Sequence, residues 1–502
     1  MRSWMLSRTM VFLLHRRKNM IGLGALWNRI IMRGSQSGMT ELEFLETELA
    51  RFMKSKARAD MMIGHSYYKG AQDILAKERI IIGEHGGKQA VHNLPNAKIV
   101  DNQFAKLVDQ KANYLLAKKV DVKPVDGANA AYADALAAVF GAGFCRQLKN
   151  VGKDSLKGGI CWLYPFVDDR GNLRFKRFPG YQVLPFWRDD EHTILDAAAR
   201  VYTVTVYEGR TIKPVTKVEY YTADGVKYYI LDSEHLIPDN AMTDSAYMTV
   251  DGKPMNWERI PLIPFKANAD EIPLINRVKC LQDGLNQLES SFADAMTEDV
   301  RSSVLVLYNY DGTDLGEFRR NLATYGAVKI RRDDYAKGGV EVLHIDVNAD
   351  NYKQIIQMFK RAIIENGRGF DAKDERFSAG NVNQMNIQSA YADIDLDADE
   401  MQSEFTASLQ QLLWFVNTFL AAKGIHGVDV DFIFNRDMMV NASERITDAK
   451  NSVGILSEET IIANHPWTKD TQEELDRIKK EKEEQKKRVA LHKFRQRKGR
   501  IL

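Results

Sequence analysis

From residue 40 to about residue 151 the apolar positions recur at helical spacing. Thr40 precedes the acidic turn ELEFLE and reads as the N-cap of a helix running towards Ala59. MMIGHSYYKGAQDIL reads as a second helix. Residues 94–117 read as a third, with Val100, Phe104, Leu107, Val108, Tyr114 and Leu115 on one buried face. Residues 130–151 give a fourth. From Gly159 the period drops to two, in the runs ICWLYPFVDD, LRFKRF, YQVLPFW, ARVYTVTVYE, VTKVEYYT and VKYYILD. The turn signals DDRGN and TADG separate several of them, which predicts a mixed or antiparallel sheet of about half a dozen strands.

Helical spacing returns over residues 269–300. Leu274, Val278, Leu281, Leu285, Leu288, Phe292 and Ala295 alternate steps of four and three, a stripe that needs a packing partner. An unbroken helix there would be roughly 45 Å long. A small α+β insert follows over residues 301–345: strand VLVLYNY, helix DLGEFRRNLATYG, and strands AVKIRR and GVEVLHID. Residues 349–366 form a return helix with Tyr352, Ile355, Ile356, Phe359 and Ile363 on one face, so the insert sits at the end of a two-helix stalk. A polar loop, GRGFDAKDERFSAGNVNQ, leads into a long helix over residues 385–423 that Gly424 ends. VDVDFIFNRD is a strand whose partner lies far back in the chain. Helices finish the sequence, one capped by Ser457, the last being the charged TQEELDRIKKEKEEQKKR.

Composition changes this picture in two places. The chain has 502 residues and 44% hydrophobic content, enough for an ample core and more than one domain, so global disorder is excluded. Its net charge of +2 is a cancellation: no acid precedes Glu41, and residues 1–40 and 486–500 carry seven and eight bases. The body from 41 to 485 holds 55 bases against 68 acids. Residues 1–40 read as a basic extension, disordered or translated from an upstream start, with a transit peptide or membrane-surface helix as the other readings. Cys145, Cys161 and Cys280 are far apart and form no CxxC, which speaks against a disulfide framework or a cysteine zinc site and for a reducing cytoplasm. MVFLLHRR is far short of the roughly 20 residues needed to span a bilayer, so no membrane partner is expected.

Candidate chemistry is sparse. Gly86-Gly87-Lys88 is followed by Gln89 and lacks the upstream glycine spacing of a P-loop, so ATP hydrolysis is not expected here. No GxSxG, HExxH or kinase signature occurs. Asp393, Asp395, Asp397, Asp399 and Glu404 fall at positions 1, 3, 5, 7 and 12 of a Ca²⁺-loop spacing, with Glu400 between. Ala398, however, stands where that loop needs glycine, and Tyr391, Ile394, Leu396 and Met401 continue a helical pattern. Neither a cofactor nor a metal is expected. A metal-dependent DNA-processing enzyme using the acids of 393–404 is the alternative reading.

Five phrases, in order, carry a resemblance: MMIGHSYYKGAQDIL, NAKIVDNQFAKLVDQKANYLLAKKV, RIPLIPFKAN, SAGNVNQMNIQSAYADIDLDADE and LSEETIIANHPWTKDTQEELDRI. With them the chain resembles the portal proteins of tailed bacteriophages, of the type in long-tailed phages of Gram-positive hosts, over residues 41–487. The resemblance implies an α+β, multidomain, non-enzymatic subunit in a ring of about twelve copies at one capsid vertex. In that scheme residues 41–268, completed by 425–452, form a wing, and 269–300 with 346–370 form the stem helices. Residues 301–345 form the clip, 371–384 the tunnel loop, 385–424 a long wing helix and 453–502 a crown with a basic tail.

The same resemblance implies site residues. Lys373, Arg376, Asn381, Asn383 and Gln384 would line the DNA channel. Their mixed charge suits sliding, because a strongly basic lining would release counterions and hold DNA tightly. Leu274, Val278, Leu281, Leu285, Leu288 and Phe292 would pack stem against stem between subunits. Arg319, Arg320, Arg331 and Arg332 would meet the terminase or head-completion proteins at the clip. The implied partners are the chain itself, double-stranded DNA without sequence specificity, the terminase large subunit, scaffold and major capsid protein, and head-completion or adaptor proteins. The implied place is the virion, after assembly in the host cytoplasm.

Overall fold

The structure, a computed structural model, describes residues 39–82, 87–91, 94–125, 130–168, 170–243, 245–250, 253–299, 304–308, 339–343, 349–371, 384–436, 442–468 and 471–498. The basic extension, Arg319, Arg320, Arg331, Arg332, Lys373, Arg376, Asn381 and Asn383 lie outside the described residues.

Helix α1 (Glu41–Met53) starts on Thr40 through a reciprocal pair of bonds: the Thr40 hydroxyl accepts from the Glu43 N–H, and the Glu43 carboxylate accepts from the Thr40 N–H. The expected single helix to Ala59 is two, because Ser55 caps a second start and opens α2 (Lys56–Tyr68). A 3₁₀ turn (Asp73–Ala76) and the hairpin β1 (Ile80–Ile82) and β2 (Lys88–Ala90) follow. Helix α3 (Gln103–Leu116) is shorter than the 94–117 span expected, and residues 94–102 run outside it. After β3 (Asp121–Pro124), the helix expected over 130–151 is two, α4 (Ala130–Val139) and α5 (Ala142–Gly158), divided at Gly141.

The strands also divide. β4 (Ile160–Val167) pairs with β5 (Leu173–Pro179), and a turn at Gly180–Gln182 redirects the chain into β6 (Val183–Trp187). The long hairpin β7 (Leu195–Glu208) and β8 (Thr211–Thr222) is followed by β9 (Gly225–Asp232), β10 (His235–Pro238), the small pair β11 (Met248–Val250) and β12 (Lys253–Met255), and β13 (Ile263–Lys266). Two antiparallel sheets result, ordered β10-β9-β8-β7-β6 and β13-β4-β5, in place of one sheet of half a dozen strands. Pro179 and the turn after it keep β5 and β6 from pairing with each other.

Helix α6 (Ile275–Asp299) starts later than residue 269. Asn268 closes a loop by accepting from the Ile272 N–H and donating to the Ile272 carbonyl, and Pro273 ends it. Strands β14 (Val304–Tyr308) and β15 (Gly339–Leu343) pair antiparallel at the two ends of the insert, and α7 (Ala349–Asn366) returns. Then come α8 (Gln384–Ala422), β16 (Val430–Ile433), α9 (Ala442–Asn451), α10 (Glu458–Ala463) and α11 (Thr471–Lys498). The distant partner of β16 is β3, register Val430 to Pro124.

The chain divides into two compact units, Met1–Gly369 with Asp397–Arg436, and Phe370–Leu396 with Asp437–Leu502. The first holds the main core, where Phe104 and Leu107 of α3, Trp162 of β4, Phe265 of β13, Val278 and Leu285 of α6 and Phe405 and Val416 of α8 are buried together. A smaller core sets Leu45 and Leu49 of α1 on Ala199, Val201, Val218 and Tyr220 of the five-stranded sheet. In the second unit, Lys482 of α11 pairs with Glu458 of α10.

Candidate functional site

The chemistry of interest gathers where α7 ends and loop 371–384 begins. Lys111 falls on the inner face of α3 among Phe104, Leu107, Val108 and Leu115, so its ammonium is carried into the interior and needs a carboxylate there. Asp397 of α8 supplies it, Nζ to Oδ2 at 2.6 Å. Arg277, in the first turn of α6, reaches the same oxygen at 2.7 Å, and Arg368, in the turn after α7, reaches the other at 2.8 Å. Lys111 also donates to the Arg368 carbonyl at 2.9 Å, which fixes the backbone of that turn. Arg368 takes a positive φ of 48° there.

Burial lowers the Lys111 ammonium from its ordinary range even with Asp397 beside it. Burial acts to raise the Asp397 carboxyl, yet Lys111, Arg277 and Arg368 outweigh it and hold that carboxyl below its ordinary value. Two residues past Arg368, Phe370 stacks on Tyr391 with ring centroids 4.3 Å apart. Before residue 371, then, Arg368 is held to Asp397 and Phe370 to Tyr391.

A second feature explains why residues 94–102 are not helical. Along α6, Gln282, Asn286, Ser290 and Asp294 recur every fourth residue and are fully buried. Each accepts a backbone N–H from the segment beside it: Asp294 from Ala97 (2.6 Å), Ser290 from Ile99 (3.0 Å), Asn286 from Asp101 (3.0 Å) and Gln282 from Phe104 (3.1 Å). Four helical residues rise about 6 Å and two extended residues about 6.6 Å, so the registers match over Ala97, Ile99 and Asp101, while Phe104 already lies in α3. Asp294 also binds Lys77 at 2.8 Å, and Lys360 of α7 bridges Asp101 and Glu289 at 2.6 and 3.1 Å. Helices α6 and α7 pack closely where Gly284 faces Phe359, and Phe292 meets Tyr352 at 4.9 Å.

Of the residues singled out in the sequence, the stem stripe is described in full within the single chain. Leu274, Val278 and Leu285 are buried in the chain's own core, while Leu281, Leu288 and Phe292 are half-buried. The stripe's first partner is therefore this chain, and packing between copies cannot rest on the three covered residues. Gln384 opens α8, its side chain outside what is described. Lys88 opens a strand of a hairpin, not a helix, which agrees with the absence of a phosphate loop.

The Ca²⁺-loop spacing at 393–404 lies wholly within α8, where it cannot wrap an ion. Asp397 is held by three cations, Asp399 pairs with Arg436, and Glu400 accepts from the Ala269 N–H. Among the described residues no group of three or more His, Cys, Asp or Glu is placed to hold a metal ion, and no helix is long and apolar enough to cross a membrane. The sequence reading missed Lys111, Arg277 and Arg368 as partners of Asp397, and the four-residue polar repeat of α6. The repeat was visible as spacing, whereas the ion cluster joins elements up to 286 positions apart.

These groups bind backbone and one another across several elements, the chemistry of a structural part. The family model for phage portal proteins of the SPP1 Gp6-like type matches residues 54–488. The portal protein of Bacillus phage SPP1 is 28% identical over 433 residues, 84% of this chain and 83% of that one. The portal protein of Clostridium phage phiCD119 is 26% identical over 428 residues, 83% and 91% of the two chains. The chain belongs to the phage portal protein family, a family of structural virion components and not of enzymes. The alternative of a DNA-processing enzyme built on residues 393–404 is set aside by that membership, and two of its acids, Asp397 and Asp399, are held in ion pairs.

Proposed function

We propose that the chain closes a ring of about twelve copies around a DNA channel at one capsid vertex. In this reading residues 41–268 with 425–452 are the wing, 269–300 and 346–370 the stem, 301–345 the clip, 371–384 the tunnel loop, 385–424 the long wing helix and 453–502 the crown. The ring nucleates procapsid assembly with scaffold and major capsid protein. It docks the terminase large subunit at the clip for packaging, with Arg319, Arg320, Arg331 and Arg332 as contacts. Head-completion proteins later take that end.

The observation that supports the reading is the ion cluster at Asp397, which joins α3, α6 and the turn after α7 just before residue 371. Lys373, Arg376, Asn381, Asn383 and Gln384 then meet DNA without sequence preference, their few cations among Asp371, Asp374 and Glu375. Replacing Lys373 and Arg376 by alanine should leave rings intact and reduce DNA packaged in a reconstituted assay. Unchanged packaging would remove the tunnel-loop assignment.

A further inference from the structure

Among the described residues, five that are not glycine take a left-handed φ: His192 (55°), Ser233 (50°), Glu234 (72°), Glu271 (57°) and Arg368 (48°). A Cβ is strained in that region, which glycine and asparagine occupy most readily. Ser233 and Glu234 are the two central residues of the β9 to β10 hairpin turn, where both must be left-handed, and Arg368 follows the end of α7. His192 and Glu271 are 79 positions apart in the chain, and they meet.

Each closes a turn of its own loop. The His192 N–H donates to the Asp189 carbonyl (3.4 Å) between β6 and β7, and the Glu271 N–H donates to the Asn268 carbonyl (3.2 Å) between β13 and α6. Glycine would serve both turns without strain, so the turns by themselves require neither a histidine nor a glutamate. The side chains bond each other: His192 Nδ1 lies 2.9 Å from Glu271 Oε1. The buried Lys266, last residue of β13, donates to the same oxygen at 3.1 Å. The His192 ring stacks on Trp187, the last residue of β6, at 4.9 Å, and Trp187 stacks on the buried Trp162 of β4 at 5.6 Å. A third left-handed residue, Gly159 (φ 77°), makes room for the contact, since a Cβ there would stand 1.8 Å from the Glu271 carbonyl oxygen.

Residues 267–274 join the three-stranded sheet to α6. Backbone bonds tie both ends of that connection, from the Ala267 N–H to the Gly159 carbonyl (2.8 Å) and from the Leu274 N–H to the Leu156 carbonyl (3.0 Å). Between those ties side chains hold it: Glu400 accepts from the Ala269 N–H, Asn268 accepts from the Ile272 N–H, and Glu271 reaches His192. The Glu271 contact leads to the five-stranded sheet, through the loop between β6 and β7. Strained residues persist where their surroundings over-determine them, and here two of them meet in one contact.

We infer that His192, Glu271 and Lys266 form a latch between the five-stranded sheet and the start of α6. Lys266 balances the Glu271 carboxylate, His192 fixes its direction, and the Trp187 ring fixes His192. The contact holds both residues left-handed, so opening it releases both turns together. The latch acts within one copy, with or without a ring.

Hydrogen exchange of the full-length protein, read by mass spectrometry, tests the coupling. His192→Gly keeps its turn and removes the ring; exchange over residues 268–274 should rise about tenfold or more, with α1 and α3 as in wild type. Glu271→Gly should raise exchange over residues 189–194 by a similar factor. The double variant should match the single ones in both loops, because the same contact is lost in all three. Unchanged exchange in the partner loop of either single variant would overturn the latch. So would a rise of equal size over the whole subunit, which marks a general loss of stability and no coupling between the two loops.

Discussion

Asp397 is the residue on which the ion cluster of Lys111, Arg277 and Arg368 turns. Replacing it by asparagine keeps the shape but leaves Lys111 buried without a counter-charge, and removing one partner of a buried pair costs about 3 kcal/mol. Asp397→Asn should lower the unfolding midpoint accordingly, and an unchanged midpoint would show the pair to be idle. The pH dependence has a definite sign. The Asp397 carboxyl is depressed in the fold, so its contribution is present above the ordinary carboxylate pKa of about 3.9 and is lost as pH falls through the lower folded value. The gap between wild type and Asp397→Asn should narrow below about pH 4. His65 acts at higher pH. Burial lowers it to about 4 against Asp154, which acts to raise it, and Lys157, Lys69 and Arg177 lower it further; Tyr181 packs on its ring. Stability tied to the neutral ring is present above about 6.5 and lost as pH falls towards about 4. His65→Gln should flatten the melting curve between those values, and an identical slope would remove His65 from the acid response.

At the scale of elements, the ladder between α6 and residues 97–104 and the close approach of α6 and α7 make separate predictions. Ser290→Ala removes the acceptor of the Ile99 N–H and should cost about 1 kcal/mol by denaturant unfolding. In Gly284→Val the new Cβ starts 2.6 Å from the Phe359 ring, so α6 and α7 must part, at about 2 kcal/mol. Leu285→Asp, which the heptad pattern presents as a block to assembly, should instead unfold the subunit, because Leu285 lies in its own core. The stalk helices, the caps at Thr40 and Ser457 and the end at Gly424 were legible because each is set by local residues. Residues 94–102 were misread because their apolar spacing suits a helix, while the acceptors that hold them extended come from a helix nearly 200 positions later. The apolar stripe of α6 was likewise legible as a packing face but not its partner, since a period states that a face is covered and not by what.

At the scale of the whole molecule, the packed pair of α6 and α7 and membership of the portal family support a ring that conducts DNA, with an acidic body that limits tight binding to the phosphate backbone. The cancellation of charge between body and ends predicts salt-sensitive behaviour at the basic ends and not along the channel. Truncation after Gln485 removes eight bases and should weaken non-specific DNA retention by purified rings at low salt, with the difference vanishing at high salt. Equal retention at all salt concentrations would exclude the tail from DNA contact. The most direct test of the central claim is native mass spectrometry of the purified full-length protein at near-physiological salt. The account predicts one closed species of about twelve copies. A monomer at every protein concentration would contradict it.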